Sequence, residues 1–227
     1  MKILVIKRDK LGDMLLTTPM LAWLRGALPE AEIHVLANDY NAWVLDGNED
    51  VDRIWTLPRV KHAGRVRPGA VLTTLKLFWQ LRQQHFDWVL VANGEESPRA
   101  IRRGLWLGGK NTVSYVQSAT GYPGLSHPLP VPLGEHESRR LARLATAIGL
   151  PLPAALPAPR YVLPGKNARF AREWLAERQL QPGAYVVLGL GARRAKKQPT
   201  TQQVLDWSAA IAKRWGLATV FMWTPGK

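Results

Sequence analysis

Short apolar runs alternate with helical patterns along the first 150 residues, and this alternation restricts the fold more than any other feature. The runs at 3–6, 33–37, 53–57, 88–92 and 112–116 have the length and apolar content of buried strands. Helical periodicity follows them at 13–28, 40–45, 70–84, 98–107 and 135–148. Such alternation is typical of right-handed βαβ units. We therefore predict an α/β domain over residues 1–150, with a parallel sheet covered on both faces.

A proline-rich stretch at 151–159 interrupts the pattern. Proline disfavours both helices and central strands, so an extended connector is expected there. A short strand at 160–163 and a helix at 167–179 are predicted next. A second strand–helix–strand pattern follows at 185–190, 200–215 and 218–223. We therefore expect a linker with a connecting helix over 151–182 and the incomplete start of a second domain over 183–227.

The composition limits the classes of protein to which this chain can belong. Lys or Arg interrupts every apolar run before it reaches the roughly 20 residues that a membrane span requires. The chain has no cysteine, which excludes disulfides and thiolate metal sites, and its first residues do not resemble a signal peptide. A cytoplasmic protein is therefore expected.

The net charge of +14 is unevenly distributed. Residues 1–150 hold 19 Lys and Arg against 14 Asp and Glu, whereas residues 151–227 hold 12 against 3. Such a field favours anionic partners: nucleic acid, acidic lipid headgroups or phosphorylated sugars. The charge alone does not distinguish among them, and solvated surfaces account for many such cations.

The loop after the first strand carries a candidate catalytic carboxylate. A strand that runs directly into a helix places this loop at the carboxyl edge of the sheet, where open α/β folds bind ligands. Gly12 is expected to allow a tight turn, and Asp13 lies at the start of the helix. The helix N-terminus, Lys7 and Lys10 would keep Asp13 ionised. From the residues alone, Asp13 is either a general base or a helix cap.

A second candidate site is the basic loop between the strand at 185–190 and the helix at 200–215. Thr200 and Gln203 have the spacing of a capping box, so Thr200 should open that helix. A glycine, several cations and a helix N-terminus form an anion site that suits a diphosphate, although a solvated basic turn is the alternative. The residues concerned are Gly191, Arg193, Lys196, Lys197 and Thr200.

A third candidate is the carboxylate-free run that contains Arg59, Lys61 and Arg65 and ends in Pro68-Gly69. Proline and glycine indicate a loop. It suits an anionic ligand, and an ordinary charged surface loop is equally compatible with the pattern.

The motifs together resemble a known family. The run KILVIKRDKLGDMLLTTPML, at residues 2–21, resembles the opening of the bacterial lipopolysaccharide heptosyltransferases, glycosyltransferase family nine. The resemblance continues at 29–36, 47–53, 86–91 and 189–199. It therefore extends over most of the chain.

This resemblance implies a fold of the GT-B type, with two Rossmann-like domains that face a cleft. It also implies an inverting transfer of a heptose from ADP-heptose to the inner core of lipopolysaccharide, with Asp13 as the base. Lys196, or Lys197 in the neighbouring register, would neutralise the leaving nucleoside diphosphate. Gln198 stands where the family usually has Trp, so the register between the two lysines stays open.

The resemblance also implies the partners. The donor would be a nucleotide sugar, and no metal or other cofactor is expected. The acceptor would be an anionic lipid-linked sugar, such as Kdo on lipid A. The acceptor-binding residues would be Lys7, Lys10, Gly12, Arg59, Lys61 and Arg65. Such an acceptor implies peripheral contact with the inner face of the inner membrane, and nucleic acid is not an expected partner.

Two other functions are compatible with parts of the pattern. A dinucleotide-dependent oxidoreductase is disfavoured because neither glycine-containing loop has the Gly-x-Gly-x-x-Gly pattern. A basic polyanion-binding α/β module without catalysis is the main alternative. The second βαβ pattern stops early, so a fragment of a longer protein is expected, with an orphan half-domain as the less favoured alternative. The 227-residue polypeptide alone is expected to turn over little or no donor.

Overall fold

The computed structural model describes residues 1–58, 61–62, 65–192 and 197–223. The chain divides into two compact units, Met1–Val162 and Leu163–Lys227.

The first unit alternates strands and helices. Its strands are β1 Lys2–Ile6, β2 Glu32–Asn38, β3 Arg53–Leu57, the short β4 Lys61–His62 and β5 Arg65–Val66, β6 Trp88–Val91, β7 Asn111–Val116 and β8 His127–Pro130. Its helices are α1 Leu11–Leu15, α2 Thr18–Ala27, α3 Pro68–Arg82, α4 Pro98–Leu107 and α5 Glu137–Ala145. Short 3₁₀ turns lie at Ala42–Leu45, Ala119–Gly121 and Thr146–Ile148.

Six of these strands form one parallel sheet in the order β3-β2-β1-β6-β7-β8. Counted along the sheet-forming strands alone, this is the 3-2-1-4-5-6 order of Rossmann folds. The order reverses between β1 and β6, which makes the carboxyl ends of these two strands the topological switch point. The predicted parallel α/β domain is confirmed.

Helices cover both faces of this sheet. Met20, Leu21 and Leu24 of α2 pack on one face with Leu141 and Leu144 of α5. The other face buries side chains of α3 and α4, including Leu77, Leu81 and Ile101. Strands such as β1, with Ile3–Ile6 fully buried, are apolar on both sides because neither face meets water.

The helix expected at 13–28 forms as two helices, α1 and α2. Pro19 lies in the first turn of α2 and has no N–H to donate into a preceding turn. The hydroxyl groups of Thr17 and Thr18 donate to the carbonyl oxygens of Asp13 and Leu15, at 2.8 Å each. These hydrogen bonds satisfy carbonyl groups at the break between the two helices.

The sequence reasoning missed β8. This strand contains Pro128 and Pro130, which argue against a strand unless it lies at an edge, and β8 is an edge strand.

The strand expected at 160–163 is wrong. This segment follows the proline-rich connector along the surface of the first unit instead. Arg160 N donates to Thr18 Oγ1 at 2.9 Å, and the Tyr161 ring packs edge-on against Trp43 at 5.9 Å. Arg139 of α5 donates to the carbonyl oxygens of Pro153 and Ala154, both at 3.1 Å. The connector is thus held by side chains rather than by a sheet.

The second unit contains α6 Gly165–Glu177, β9 Tyr185–Gly189, α7 Thr201–Trp215 and β10 Ala218–Met222. β9 and β10 pair in parallel, with α7 between them in sequence. Gly216 ends α7 in the left-handed conformation at φ +66°, which glycine adopts without strain. The expected second βαβ unit is confirmed.

Within the part of the chain that the structure describes, no helix combines the length and the apolar character needed to cross a bilayer.

Candidate active site

A pocket of about 620 Å³ lies at the switch point of the six-stranded sheet. The loops after β1 and β6 and the N-terminal turn of α5 line it. Its lining residues are Arg8, Asp9, Lys10, Asp13, Tyr40, Asn93, Gly94, Glu95, Glu137 and Arg140. Ligands bind at this position in open α/β sheets, so the pocket is the candidate active site.

Asp13 lines this pocket and also caps α1. Its Oδ2 accepts a hydrogen bond from Lys10 N at 2.9 Å. Among the described residues, no group donates to its other oxygen, Oδ1. Asp13 can therefore cap α1 and line the pocket at the same time, because Oδ2 accepts the hydrogen bond of the cap and Oδ1 accepts none from the described residues.

Lys7 lies beneath the pocket, and its side chain is only 1% exposed. Its ammonium group forms ion pairs with Asp9 Oδ2 at 3.1 Å and with Glu137 Oε1 at 3.3 Å. A buried ammonium is costly without such partners. Lys7 was expected to contact the acceptor; in this arrangement it holds two pocket carboxylates and is not exposed to a ligand.

Glu137 receives cations from two sides. Lys7 contacts its Oε1, and Arg140 lies 3.7 Å from its Oε2. The carboxylate sits directly over the backbone of Gly94, where an added side-chain carbon would fall 2.7 Å from Glu137 Oε1 and closer still to Oε2. Glycine at position 94 therefore makes room for this carboxylate.

The loop after β1 is held by two buried or half-buried asparagines. Asn41 Nδ2 donates to the carbonyl oxygens of Lys7 and Asp9, at 3.4 and 3.1 Å. Asn38 Oδ1 accepts from Arg8 Nε at 2.9 Å. Burial, with the nearby positive charge of Arg103, lowers the pKa of Arg8 to about 10. The loop thus presents a cation that is poorly hydrated, which favours pairing with an anion.

Gly12 has a different role from the one expected. It lies inside α1 and is not among the glycines with positive φ, so the chain does not require glycine there for a turn. It is exposed, and a side-chain carbon at this position would meet no atom within 4 Å. Its missing side chain leaves open space beside Asp13.

The other expected cations near the first unit are only partly described. Lys10 is exposed and lines the pocket. The backbone of Lys61 and Arg65 belongs to the antiparallel β4–β5 pair, so the described part of this run is paired strand. Arg59 lies outside the described residues.

The loop of the second unit that is predicted to bind phosphate is only partly described. The Thr200 capping box is confirmed: Gln203 N donates to Thr200 Oγ1 at 3.2 Å, and Thr200 N donates to Gln203 Oε1 at 2.9 Å. Gly191 and Lys197 are exposed, and Gln198 Nε2 donates to Ala192 O at 2.9 Å. Arg193 and Lys196 lie outside the described residues.

Sequence reasoning did not identify Arg140 or Gly94 as parts of the pocket, and it gave Glu137 no more than a weak resemblance to a family position near the acceptor. Glu137 is 130 positions from its partner Lys7. The signal that could have found it is the missed strand β8, since a sixth parallel strand would bring the following helix, α5, to the same sheet edge. Among the described residues, no group of three or more His, Asp or Glu side chains is arranged to hold a metal ion.

The fold is similar to that of solved glycosyltransferases. A glycosyl transferase of family 9 from Veillonella parvula matches with a TM-score of 0.77 and 17% identity, over 97% of this chain and 62% of that one. The E. coli heptosyltransferase WaaC, with ADP-2-deoxy-2-fluoro heptose, matches with a TM-score of 0.73 and 17% identity, over 99% and 69%. E. coli ADP-heptose LPS heptosyltransferase II matches with a TM-score of 0.64 and 19% identity, over 97% and 64%.

These matches confirm the α/β fold of the GT-B type. The chain spans 62% of the length of the V. parvula protein. No protein-family model matches the chain, and no curated protein matches it.

Proposed function

We propose that this chain belongs to an inverting glycosyltransferase that moves a heptose from ADP-heptose to the inner core of lipopolysaccharide. The observation that carries the proposal is the position of Asp13, which lines a charged pocket at the switch point of the sheet with one carboxylate oxygen unoccupied by described groups. The fold similarity to heptosyltransferases supports it. One of those solved structures contains an ADP-heptose analogue, which supports the proposed donor class.

In the proposed reaction Asp13 acts as the general base. Its free oxygen takes the proton of an acceptor hydroxyl while that hydroxyl oxygen attacks the anomeric carbon of the donor sugar. The bond from this carbon to the diphosphate oxygen breaks, and its electron pair leaves with the nucleoside diphosphate. Attack opposite the leaving group inverts the anomeric configuration.

The remaining pocket residues suit an acidic sugar acceptor. Asp9, Glu95 and Glu137 can accept hydrogen bonds from sugar hydroxyl groups. Arg8, Lys10 and Arg140 can pair with a carboxylate or phosphate of the acceptor. The mixture of both charges fits a molecule that carries hydroxyl and acidic groups, such as Kdo on lipid A, better than it fits a uniformly anionic polymer.

The donor diphosphate is assigned to the second unit. The backbone N–H groups of the first turn of α7 would provide positive charge for it, together with the ammonium group of Lys196 or, in the neighbouring register, of Lys197. These groups would stabilise the leaving diphosphate without a metal ion.

The test is transfer by the full-length protein. ADP-heptose and Kdo-lipid A are incubated with it, ADP release and product mass are followed, and NMR determines the anomeric configuration of the product. One heptose added with inversion is expected. Retention of configuration would overturn the mechanism, and transfer from other nucleotide sugars but not from ADP-heptose would overturn the donor.

A further inference from the structure

Helix α3 has apolar side chains on two opposite sides. Leu77 and Leu81 face the sheet and are buried. Leu72, Leu75 and Trp79 recur at the i, i+3, i+7 spacing of one helical stripe, and they are 69%, 55% and 62% exposed. A surface helix normally has one apolar stripe, facing the core. The second stripe of α3 therefore requires an explanation outside the core.

The neighbouring helix α4 extends this surface. The Phe78 ring of α3 meets the Trp106 ring of α4 edge-on at 5.2 Å, and Trp106 is 48% exposed. Arg99 and Arg102 are exposed and share with Trp106 the i, i+3, i+7 spacing on α4. We call the combined surface the outer face of α3 and α4; it consists of Leu72, Leu75, Trp79 and Trp106 with the cations Lys76, Arg82, Arg99 and Arg102.

The charge of this region has one sign. Between Arg53 and Phe86 the sequence contains seven Lys and Arg and no Asp or Glu. Helices α3 and α4 themselves contain no acidic residue. All charged side chains of the two helices are thus cations.

We propose that the outer face of α3 and α4 binds the surface of a membrane that contains anionic phospholipids. Helices that lie in a membrane interface combine Leu and Trp side chains with Lys and Arg, because the apolar groups enter the headgroup boundary while the cations meet lipid phosphates. Tryptophan is also favoured at that depth. A second copy of this face is a poor occupant, because four cations would oppose four cations.

This proposal does not depend on the proposed sugar transfer. None of the residues of the outer face lines the pocket at the switch point. Membrane binding and catalysis can therefore be tested separately, and either can fail without the other.

The first experiment measures co-sedimentation of the chain with vesicles of phosphatidylcholine alone and of phosphatidylcholine mixed with phosphatidylglycerol. Binding is expected only to the mixed vesicles, and it should weaken as salt is added. The variant Leu72→Ser/Leu75→Ser/Trp79→Ser keeps the net charge and should bind at least about tenfold more weakly. The control Leu205→Ser/Trp207→Ser/Trp215→Ser removes three exposed apolar side chains of α7 and should bind like the parent chain.

A second pair of variants separates this face from the general charge of the protein. The double variants Lys76→Glu/Arg102→Glu and Lys213→Glu/Arg214→Glu change the net charge equally. Only the double variant in α3 and α4 is expected to weaken binding to the mixed vesicles beyond about twofold. Equal losses of binding in the two double variants, or unchanged binding by the triple serine variant of α3, would overturn the proposal.

Sedimentation velocity tests the competing occupant. If the parent chain forms a dimer that the α3 serine variant abolishes, and this variant still binds vesicles like the parent, the outer face is a contact between copies and the proposal is wrong. All substituted side chains are exposed, and thermal unfolding of each variant checks that the fold is kept.

Discussion

The carboxylate of Glu137 lies directly over Gly94, so close that a methyl group at position 94 would fall 2.7 Å from Glu137 Oε1. The two residues come from the loop after β6 and the start of α5, which are far apart in sequence. The present position of the Glu137 carboxylate therefore requires glycine at position 94 for space and not for a positive φ.

Gly94→Ala should therefore displace the Glu137 carboxylate from Lys7 and Arg140. We expect a loss of unfolding free energy of roughly 1–3 kcal/mol, measured by urea unfolding, because a crowded site must shift and a buried cation loses a partner. Gly121→Ala is the matched control, since Gly121 lies outside the α-helices and its added carbon meets no atom within 4 Å. Equal stability of the two variants would mean that Glu137 moves at no cost.

Asp13→Asn should abolish most of the turnover of the full-length protein and leave its fold intact. Asparagine retains an oxygen that can accept from Lys10 N, but it cannot take a proton from the acceptor. A decrease of about 10²–10⁴-fold in kcat is expected, measured by ADP release. Glu95→Gln neutralises another carboxylate of the same pocket and should reduce kcat far less. Near-normal turnover in Asp13→Asn would exclude the role of base.

Gly12→Ala should reduce acceptor use without destabilising the protein. The position is helical and has free space in the absence of a ligand, so unfolding should change by less than about 1 kcal/mol. If a ligand approaches this space beside Asp13, an added methyl group should raise the KM for the acceptor several-fold. An unchanged KM would show that the acceptor lies elsewhere.

Lys7→Met should destabilise the first unit, because Asp9 and Glu137 would then lose their shared cation. Both carboxylates keep some contact with water, so the loss should be smaller than the roughly 3–5 kcal/mol typical of a broken buried pair. Adding Glu137→Gln should recover part of the loss, and a double-mutant cycle in urea should give a coupling energy of about 0.5–3 kcal/mol. Additive effects would mean that the ion pair carries no energy of its own.

His34 should make stability fall as the solution becomes mildly acidic. Its Nδ1 accepts from Trp55 Nε1 at 3.1 Å, and burial lowers its pKa below 6.5. As the pH falls below 6.5 the unfolded chain takes up a proton first, so stability is full above this value and decreases down to the folded pKa. His34→Gln should reduce the decrease of the urea midpoint between about pH 7 and pH 5.

Much of this structure follows from local patterns. Strands β1 and β6 are nearly continuous apolar runs, because both faces of the sheet are covered, and such runs stand out in a sequence. Asp13 could be placed at the sheet edge since its loop joins a strand directly to a helix. The Thr200 capping box could be placed because its two residues are three positions apart.

The parts that were not predicted depend on contacts distant in sequence. Strand β8 was obscured by prolines that only an edge position tolerates, and without it the start of α5 could not be assigned to the pocket. Arg140, on the first turns of α5, was missed for this reason. The segment at 160–163 has the composition of a strand, but the backbone N–H of Arg160 bonds to Thr18 and the ring of Tyr161 packs on Trp43. These contacts are distant in sequence, so no local pattern indicates them.

The prolines of β8 have a further consequence. Backbone groups point alternately to the two sides of a strand, so Pro128 and Pro130 fall on the same side, and both lack an N–H group. The partner strand β7 occupies the other side. The outer margin of the sheet therefore offers an incoming chain no donor at either position, which protects the protein against aggregation by strand addition at this end.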